Sequence, residues 1–129
     1  MSSVPQELRF TQEHEWLASG DQDTVRIGIT DYAQQQLGDV VFVQLPQVGD
    51  NVSQGETIGE VESTKSVSDL FAPVTGEVVS RNEDLEEQPE LVNSDPYGAG
   101  WMIEVRLADR KAFEDLLDAD AYGELIAPE

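Results

Sequence analysis

Residues 60 to 73 read Glu60-Val61-Glu62-Ser63-Thr64-Lys65-Ser66-Val67-Ser68-Asp69-Leu70-Phe71-Ala72-Pro73. The residues on the two sides of Thr64 and Lys65 resemble each other, and Val61 and Val67 have the β-branched side chains that strands favour. The pattern predicts a hairpin of two strands with Lys65 at its tip. The turn residues add little support, because neither is the Gly or Asn that a tight hairpin turn prefers.

Lysine is scarce in this chain, which makes a lysine at an exposed tip informative. Seven residues are basic, but only Lys65 and Lys111 are lysines. An arginine would serve equally well as a solvated positive charge. A lysine amine, in contrast, can be acylated, and a guanidinium cannot replace it in that role. We therefore interpret Lys65 as the site of modification, whereas Lys111 lies next to Arg110 in a predicted helix.

The length and composition predict one domain over residues 1–129, without a membrane span. A chain of this length can bury about two-thirds of the surface that it exposes when unfolded. No apolar run is long enough to cross a bilayer, and the N-terminus lacks the basic and apolar regions of a secretory signal. The absence of cysteine excludes disulfides, thiolate metal sites and a cysteine nucleophile, and it fits a cytoplasmic protein.

The formal net charge of −20 is the strongest compositional signal. Such a charge argues against binding to nucleic acid or to an anionic membrane surface, and the self-repulsion favours a monomer. It predicts partners with basic surfaces. A generic acidic surface or an adaptation to high salt explains the composition equally well, and composition cannot separate these interpretations.

The first two-thirds of the chain combine short strand patterns with one helix. The predicted strands cover residues 10–17, 24–29, 40–45 and several brief segments between residues 49 and 79. Residues 31–37 read as a short helix that Thr30 or Asp31 can cap and that Gly38 ends. The even spacing of the strands predicts a small all-β sandwich or barrel.

The last third of the chain reads as an acidic loop over residues 81–90, a turn over 93–100 and a final strand over 101–107. Asp109 can cap a helix that has Phe113, Leu116 and Leu117 on one face, and a second helical segment follows around Tyr122. These helices are predicted to cover a sheet face or edge. Four large aromatic residues are predicted to be buried or half-buried: Trp16, Phe42, Phe71 and Trp101.

The chain offers little material for a metal site or an autonomous enzyme. His14 lies between Glu13 and Glu15, but on a strand its side chain points away from both neighbours, so the three cannot converge on a metal ion. The sequence holds no second histidine and no cysteine. No serine lies in the sharp turn of a hydrolase nucleophile. We therefore expect neither a metal site nor enzymatic activity, with Glu13 and Glu15 on one strand face.

The order of the motifs resembles one known family. Residues 62–69 followed by 72–78 resemble the lipoyl-attachment hairpin of the H protein of the glycine cleavage system. The likeness continues through Glu13-His14-Glu15-Trp16, Gly28-Ile29-Thr30-Asp31-Tyr32-Ala33-Gln34, Leu37-Gly38-Asp39-Val40-Val41-Phe42-Val43-Gln44-Leu45-Pro46 and Leu91-Val92-Asn93-Ser94-Asp95-Pro96-Tyr97-Gly98. It covers nearly the whole chain, and several such fragments in the right order and spacing are highly specific.

This resemblance implies a mainly β fold with the carrier lysine on a hairpin tip. The fold would be a flattened barrel or sandwich of the lipoyl-domain type, made of two small antiparallel sheets. A short helix would follow the second strand, and further helices would lie at the C-terminus.

The resemblance also implies a carrier that takes part in glycine catabolism and one-carbon metabolism without catalysing a reaction. A lipoate-attaching enzyme would join lipoic acid to Lys65 through an amide. A pyridoxal-phosphate-dependent glycine decarboxylase would load the arm with an aminomethyl group, and a tetrahydrofolate-dependent aminomethyltransferase would unload it. Dihydrolipoyl dehydrogenase, with FAD and NAD, would reoxidise the arm.

Finally, the resemblance places carboxylates near the resting arm. Glu15 and Asp69 are the candidates for a cleft that shelters the aminomethyl group, and Glu13 is a third. Many H proteins carry a histidine in the helix near the arm, whereas this chain has Gln35 and Gln36 there. The polar contacts between this helix and the arm are therefore not predicted.

Three alternatives stay open. A lipoyl domain of a 2-oxo acid dehydrogenase or a biotinyl domain would be a different carrier, although biotinyl hairpins typically have methionines at the positions of Thr64 and Ser66. An H-like protein could mainly relay lipoyl groups to other proteins. An unmodified acidic interaction module would keep Lys65 as a free amine, and an intact-mass measurement separates that module from every carrier.

Overall fold

The computed structural model of the chain describes residues 5–20, 23–109 and 111–126. Its strands are β1 (Arg9–Phe10), β2 (Glu15–Ser19), β3 (Thr24–Ile29), β4 (Val40–Gln44), β5 (Asn51–Val52), β6 (Thr57–Ser63), β7 (Val67–Phe71), β8 (Gly76–Arg81) and β9 (Ile103–Leu107). Its helices are α1 (Asp31–Leu37), α2 (Asp84–Glu87), α3 (Leu91–Ser94), α4 (Lys111–Glu114) and α5 (Ala119–Ile126).

The strands form two antiparallel sheets, which confirms the predicted fold class. One sheet has six strands in the order β1-β2-β3-β9-β8-β5, and the other has three in the order β4-β6-β7. Strand alternation turns one set of side chains from each sheet into a shared core. That core includes Leu17, Ile27 and Val105 from the larger sheet and Val43 and Val61 from the smaller one.

The prediction of one continuous strand over residues 10–17 is wrong. β1 ends at Phe10, and the chain turns back so that Phe10 lies opposite Trp16 on β2. Hydrogen bonds from the His14 N–H to the Thr11 carbonyl (3.1 Å) and from the Thr11 N–H to the Glu15 carbonyl (3.0 Å) close the turn. His14 has a φ of 69°, which is left-handed and incompatible with an extended strand.

This turn also overturns the expectation that Glu13 and Glu15 share a strand face. Glu13 is exposed in the turn, whereas Glu15 begins β2 and is only 2% exposed. Because the first predicted strand is two strands, the second predicted strand is β3, and the short helix follows it as predicted.

The predicted helix over residues 31–37 is confirmed, and both of its ends are held. Thr30 is the N-cap and accepts a hydrogen bond from the Ala33 N–H, and Gly38 is the C-cap with a φ of 85°. Asn93 fixes the segment that follows. Its side-chain amide donates to the Gly38 carbonyl (2.9 Å), and its side-chain oxygen accepts from the Val40 N–H (2.8 Å). Asn93 therefore sets the path from α1 into β4.

Two predictions for the last third of the chain need correction. Residues 81–90 are not only loop, since α2 lies within them and buries Leu85 in the core. The helix after Asp109 is a single turn, α4, and Leu117 instead pairs with Phe10 in an isolated β-bridge. Asp109 does cap α4, because its carboxylate accepts from the Lys111 N–H at 3.0 Å. Arg110 lies outside the described residues.

The prediction for the four aromatic residues holds for three of them. Trp16 is buried, and Phe71 and Trp101 are half-buried. Phe42 is 51% exposed, because a β-bulge between Val40 and Phe42 shifts the register of β4 and leaves Phe42 on the outer face of the small sheet.

In the part of the chain that the structure describes, no helix is long and apolar enough to cross a membrane. The cytoplasmic location and the single domain over residues 1–129 stay predictions.

Candidate functional site

The hairpin predicted from residues 60–73 is confirmed, with Lys65 between its two strands. β6 and β7 pair so that Glu62 lies opposite Val67. Ser63 stabilises the turn in place of the Gly or Asn that a tight hairpin turn prefers. Its hydroxyl accepts from the N–H groups of Lys65 and Ser66, both at 3.1 Å, and donates to the Ser66 carbonyl. A serine hydroxyl that imitates a backbone turn explains why no Gly or Asn is needed.

The Lys65 side chain lies against the C-terminal end of α1. Its Nζ donates to the Gln36 carbonyl at 3.2 Å. The last carbonyls of a helix lack partners within the helix and carry a partial negative charge, so they suit an ammonium group. Gly38 leaves room for the lysine stem, because a Cβ atom at this position would lie 3.0 Å from Lys65 Cδ. The second lysine, Lys111, is exposed at the start of α4.

A cleft of about 470 Å³ begins beside this lysine, between α1 and the edge strand β7. Its lining includes Gln36, which accepts the hydrogen bond from Lys65, and Ser66, which follows Lys65 in the chain. Another cavity of about 480 Å³ has Phe10 and Leu117 in its lining, but neither Gln36 nor Ser66 lines it. The remaining lining residues of the cleft are Glu13, His14, Glu15, Ile29, Tyr32, Ala33, Leu37, Val61, Val67, Ser68, Asp69 and Leu70.

Glu15 is the most unusual group in the cleft lining, because it is a carboxyl group that is only 2% exposed. One of its oxygens accepts from the Thr11 hydroxyl and the other from the Phe71 N–H, both at 3.1 Å. Burial raises the pKa of Glu15 to about 8, although the two hydrogen bonds oppose the shift; the nearby Glu13 adds to it. Glu15 is therefore largely protonated at neutral pH.

The other two carboxylates named from the sequence also line the cleft, in different surroundings. Glu13 is exposed in the turn between β1 and β2. Asp69 is exposed on β7, opposite Glu60 of β6. The structure thus brings Glu13, Glu15 and Asp69 to one cleft, but only Glu15 is in a low-dielectric position.

A C-terminal residue that was not predicted from the sequence supports this cleft. The Tyr122 hydroxyl, from α5, lies 2.9 Å from His14 Nδ1 and 2.7 Å from Thr30 Oγ1. The His14 ring also packs on the Tyr32 ring, with centroids 4.8 Å apart. Burial lowers the pKa of His14, although Glu13 opposes the shift. In the sequence, Tyr122 was visible only as a tyrosine in a short predicted helix. That pattern does not show which distant residues the tyrosine contacts.

Comparison with known proteins finds relatives over nearly the whole chain. A family model described as "Glycine cleavage H-protein" matches residues 8–129. A glycine cleavage system H protein from Mycobacterium avium is 60% identical over 126 residues, which are 95% of this chain and 96% of that protein. The counterpart from Mycobacteroides abscessus is 58% identical over 128 residues, covering 96% and 98% of the two chains.

The solved structures agree with the sequences. The crystal structure of a glycine cleavage system H protein from Mycobacterium marinum superposes with a TM-score of 0.85 and 46% identity, covering 94% of this chain and 97% of that one. The fold, the lysine hairpin and these relatives lead to one conclusion: the chain belongs to the glycine cleavage H-protein family, the non-catalytic lipoyl carrier subunits of the glycine cleavage system.

Proposed function

We propose that this chain carries the aminomethyl group of glycine on a lipoyl group joined to Lys65 through an amide. It takes the group from a pyridoxal-phosphate-dependent glycine decarboxylase and delivers it to a tetrahydrofolate-dependent aminomethyltransferase. It then presents the arm to dihydrolipoyl dehydrogenase. The observation that carries this proposal is the position of Lys65, at the tip of a hairpin and beside a cleft that is lined by the buried carboxyl group of Glu15.

The surroundings of Lys65 fit a lipoyl group. A lysine with an eight-carbon acyl chain extends on the order of 14 Å from the backbone. The cleft lies beside the lysine and has apolar side chains in its walls, among them Leu37, Val61 and Leu70, which suit a hydrocarbon arm. When bound, the lipoyl group supplies a disulfide that accepts the aminomethyl group on one sulfur while the other is reduced. The protein's own residues supply reach, shelter and recognition.

Glu15 is proposed to hold the protonated amine of the cargo. Without a cation in the cleft, burial keeps the carboxyl group protonated at neutral pH. A nearby ammonium favours the ionised form, so arrival of the cargo would expel the proton. Each carboxylate oxygen already accepts one hydrogen bond and keeps a second lone pair for the amine. A charge-assisted hydrogen bond of about 1.5–3 kcal/mol retains the amine and still lets a partner release it.

Lys65→Arg tests the proposal directly. This variant should fold like the wild type, because an arginine can keep the positive charge near the Gln36 carbonyl. We expect it to lose all support of glycine cleavage in a reconstituted system. Intact-mass and peptide analysis of the wild type purified from its own host should find one lipoyl amide, on Lys65.

Three results would count against the proposal. Lipoate on Lys111, or full activity of the Lys65→Arg variant, would remove Lys65 from the carrier role. An unmodified Lys65 in the host would favour an acidic interaction module. Lipoyl transfer to other proteins without support of glycine cleavage would favour the relay role.

A further inference from the structure

We propose that the outer face of the three-stranded sheet is the docking surface for the enzyme that acylates Lys65, and that this enzyme offers an apolar socket with a basic rim. The surface consists of Phe42, Glu62 and Val67 in one row and Gln44, Glu60 and Asp69 in the next. The inference rests on the proposed function, because it requires lipoylation of Lys65. It adds to that proposal a surface and the chemistry of the partner that fits it.

Strand register places the three residues of the first row side by side. Phe42 of β4 lies opposite Glu62 of β6, and Glu62 lies opposite Val67 of β7. Directly opposed residues on neighbouring strands share a face of the sheet. The alternate residues Val43 and Val61 are buried in the core, so the Phe42 row faces outward.

The two apolar members of this row are exposed and lie outside the core. Phe42 is 51% exposed and Val67 is 56% exposed, and a third exposed apolar residue, Val41, precedes Phe42 in the bulge. Single exposed apolar residues are ordinary on protein surfaces. Here a large aromatic ring and a valine lie in one row, which includes the last strand pair before the turn that carries Lys65. An aromatic side chain in this position suits an anchor that fills a partner's pocket.

The charge distribution indicates what surrounds such a pocket. The second row adds Glu60 and Asp69 beside Glu62, and all three are exposed. The described arginines lie on the strands of the other sheet, where three of them form ion pairs: Arg26 with Glu104, Arg81 with Glu86, and Arg106 with Glu77. Within the described ranges, the small sheet and its hairpin therefore present no cation except Lys65. Complementary charge on the partner must be basic.

The length of the lysine side chain indicates which partner binds this surface. A bare lysine reaches only about 6 Å from its Cα atom, against about 14 Å for the lipoylated arm. Partners that act on the loaded arm can stay at the end of that longer reach. The acylating enzyme must bring its reactive carbonyl to Nζ itself, so it has to contact the strands that flank the tip. Those strands present Glu62 and Val67, and Phe42 of β4 lies next to Glu62.

The reaction at this surface is an acyl transfer. Lipoate and ATP form a lipoyl adenylate and pyrophosphate. The unprotonated Lys65 amine attacks the acyl carbonyl, an amide C–N bond forms, the bond to the phosphate oxygen breaks, and AMP and one proton leave.

Initial rates of lipoylation test the apolar part of the surface. The unmodified chain is incubated with a purified lipoate–protein ligase, lipoate and ATP, and the product is measured by intact mass. Phe42→Ser and Val67→Ser should each lower kcat/KM about tenfold, equivalent to ~1.4 kcal/mol, mainly through a higher KM. Val48→Ser is the matched control, because Val48 is 57% exposed and lies outside this sheet. It should react like the wild type.

A charge pair tests the basic rim. Glu60→Gln with Glu62→Gln removes two charges from the surface and should lower kcat/KM and weaken its dependence on salt. Glu83→Gln with Glu87→Gln removes the same charge from exposed positions around α2 and should leave both unchanged. Circular dichroism and thermal unfolding of every variant show whether the fold is retained.

The outcomes separate this inference from the proposed function. If the wild type gains lipoate on Lys65 and the Phe42 and Val67 variants react at the wild-type rate, the docking surface is wrong and the carrier function stands. If folded wild type gains no lipoate on Lys65, both are wrong. Equal losses in the Val48 control would also overturn the docking surface.

Discussion

At the scale of single residues, Glu15 should make the free energy of unfolding depend on pH. Its pKa is about 8 in the folded chain against an ordinary value of 4.5, so the folded chain binds more protons between these values. Its stabilising effect is fully present below pH 4.5 and is lost as pH rises toward 8. In this window the free energy of unfolding should fall by up to about 1.4 kcal/mol per pH unit on account of this one group.

Glu15→Gln should remove that dependence. The free energy of unfolding should be measured with denaturant at pH 5, 6, 7 and 8. As pH rises, the wild type should lose stability relative to the variant. Glu87→Gln, which removes an exposed carboxylate, is the control for lost net charge. A wild-type-minus-Glu15→Gln difference that stays constant over this range would mean that Glu15 does not titrate there.

The same residue should protect the cargo more strongly than Asp69 does. An ion pair in a buried position is screened less by water than one at an exposed position. Glu15→Gln should therefore shorten the lifetime of the loaded protein in buffer several-fold, and Asp69→Asn should shorten it less. Ammonia release from loaded proteins, without partner enzymes, measures both. Equal rates in wild type and both variants would indicate protection by the shape of the cleft alone.

At the scale of elements, the end of α1 is shaped to receive the lysine stem. Gly38 has φ 85° and ψ −160°, a region that only glycine adopts readily. Gly38→Ala should lower the free energy of unfolding by about 1–3 kcal/mol through backbone strain. It should also displace Lys65, because the new Cβ would lie 3.0 Å from Lys65 Cδ.

Gly123→Ala in α5 is a control for which we expect the opposite effect on stability. A Cβ at Gly123 meets nothing within 4 Å, and alanine favours a helix over glycine by about 0.5–1 kcal/mol, so this variant should be more stable. Urea unfolding of the two variants should show changes in the free energy of unfolding that have opposite signs. Gly38→Ala at wild-type stability would show that the helix end relaxes without cost.

At the scale of the whole molecule, charge should govern the encounter with partners. The net charge of −20 acts over long distance only while salt does not screen it. The screening length is about 8 Å at physiological ionic strength and about 3 Å at 1 M. The association rate with glycine decarboxylase should fall as salt rises, with a smaller change in the dissociation rate. Stopped-flow measurements check this, and a rate that is flat in salt would indicate a generic acidic surface.

The sequence by itself determined the features that depend on neighbouring residues. The hairpin around Lys65 and the capped helix α1 were both readable, because turns and caps form within a few positions of the chain. The strand spacing predicted the β class, and the order of motifs pointed to the family. The local pattern did not reveal every turn, since residues 10–17 were predicted as one strand and instead contribute to two strands joined by a turn.

Only the tertiary structure decided how the site is built. Glu15 is buried and accepts a hydrogen bond from the Phe71 N–H, 56 positions away in the chain. His14 forms a hydrogen bond with Tyr122, which is 108 positions away. Phe42 looks like a core residue in sequence and is exposed because a bulge turns it outward. A side chain's burial and pKa depend on which distant segments pack around it, and no local pattern records those contacts.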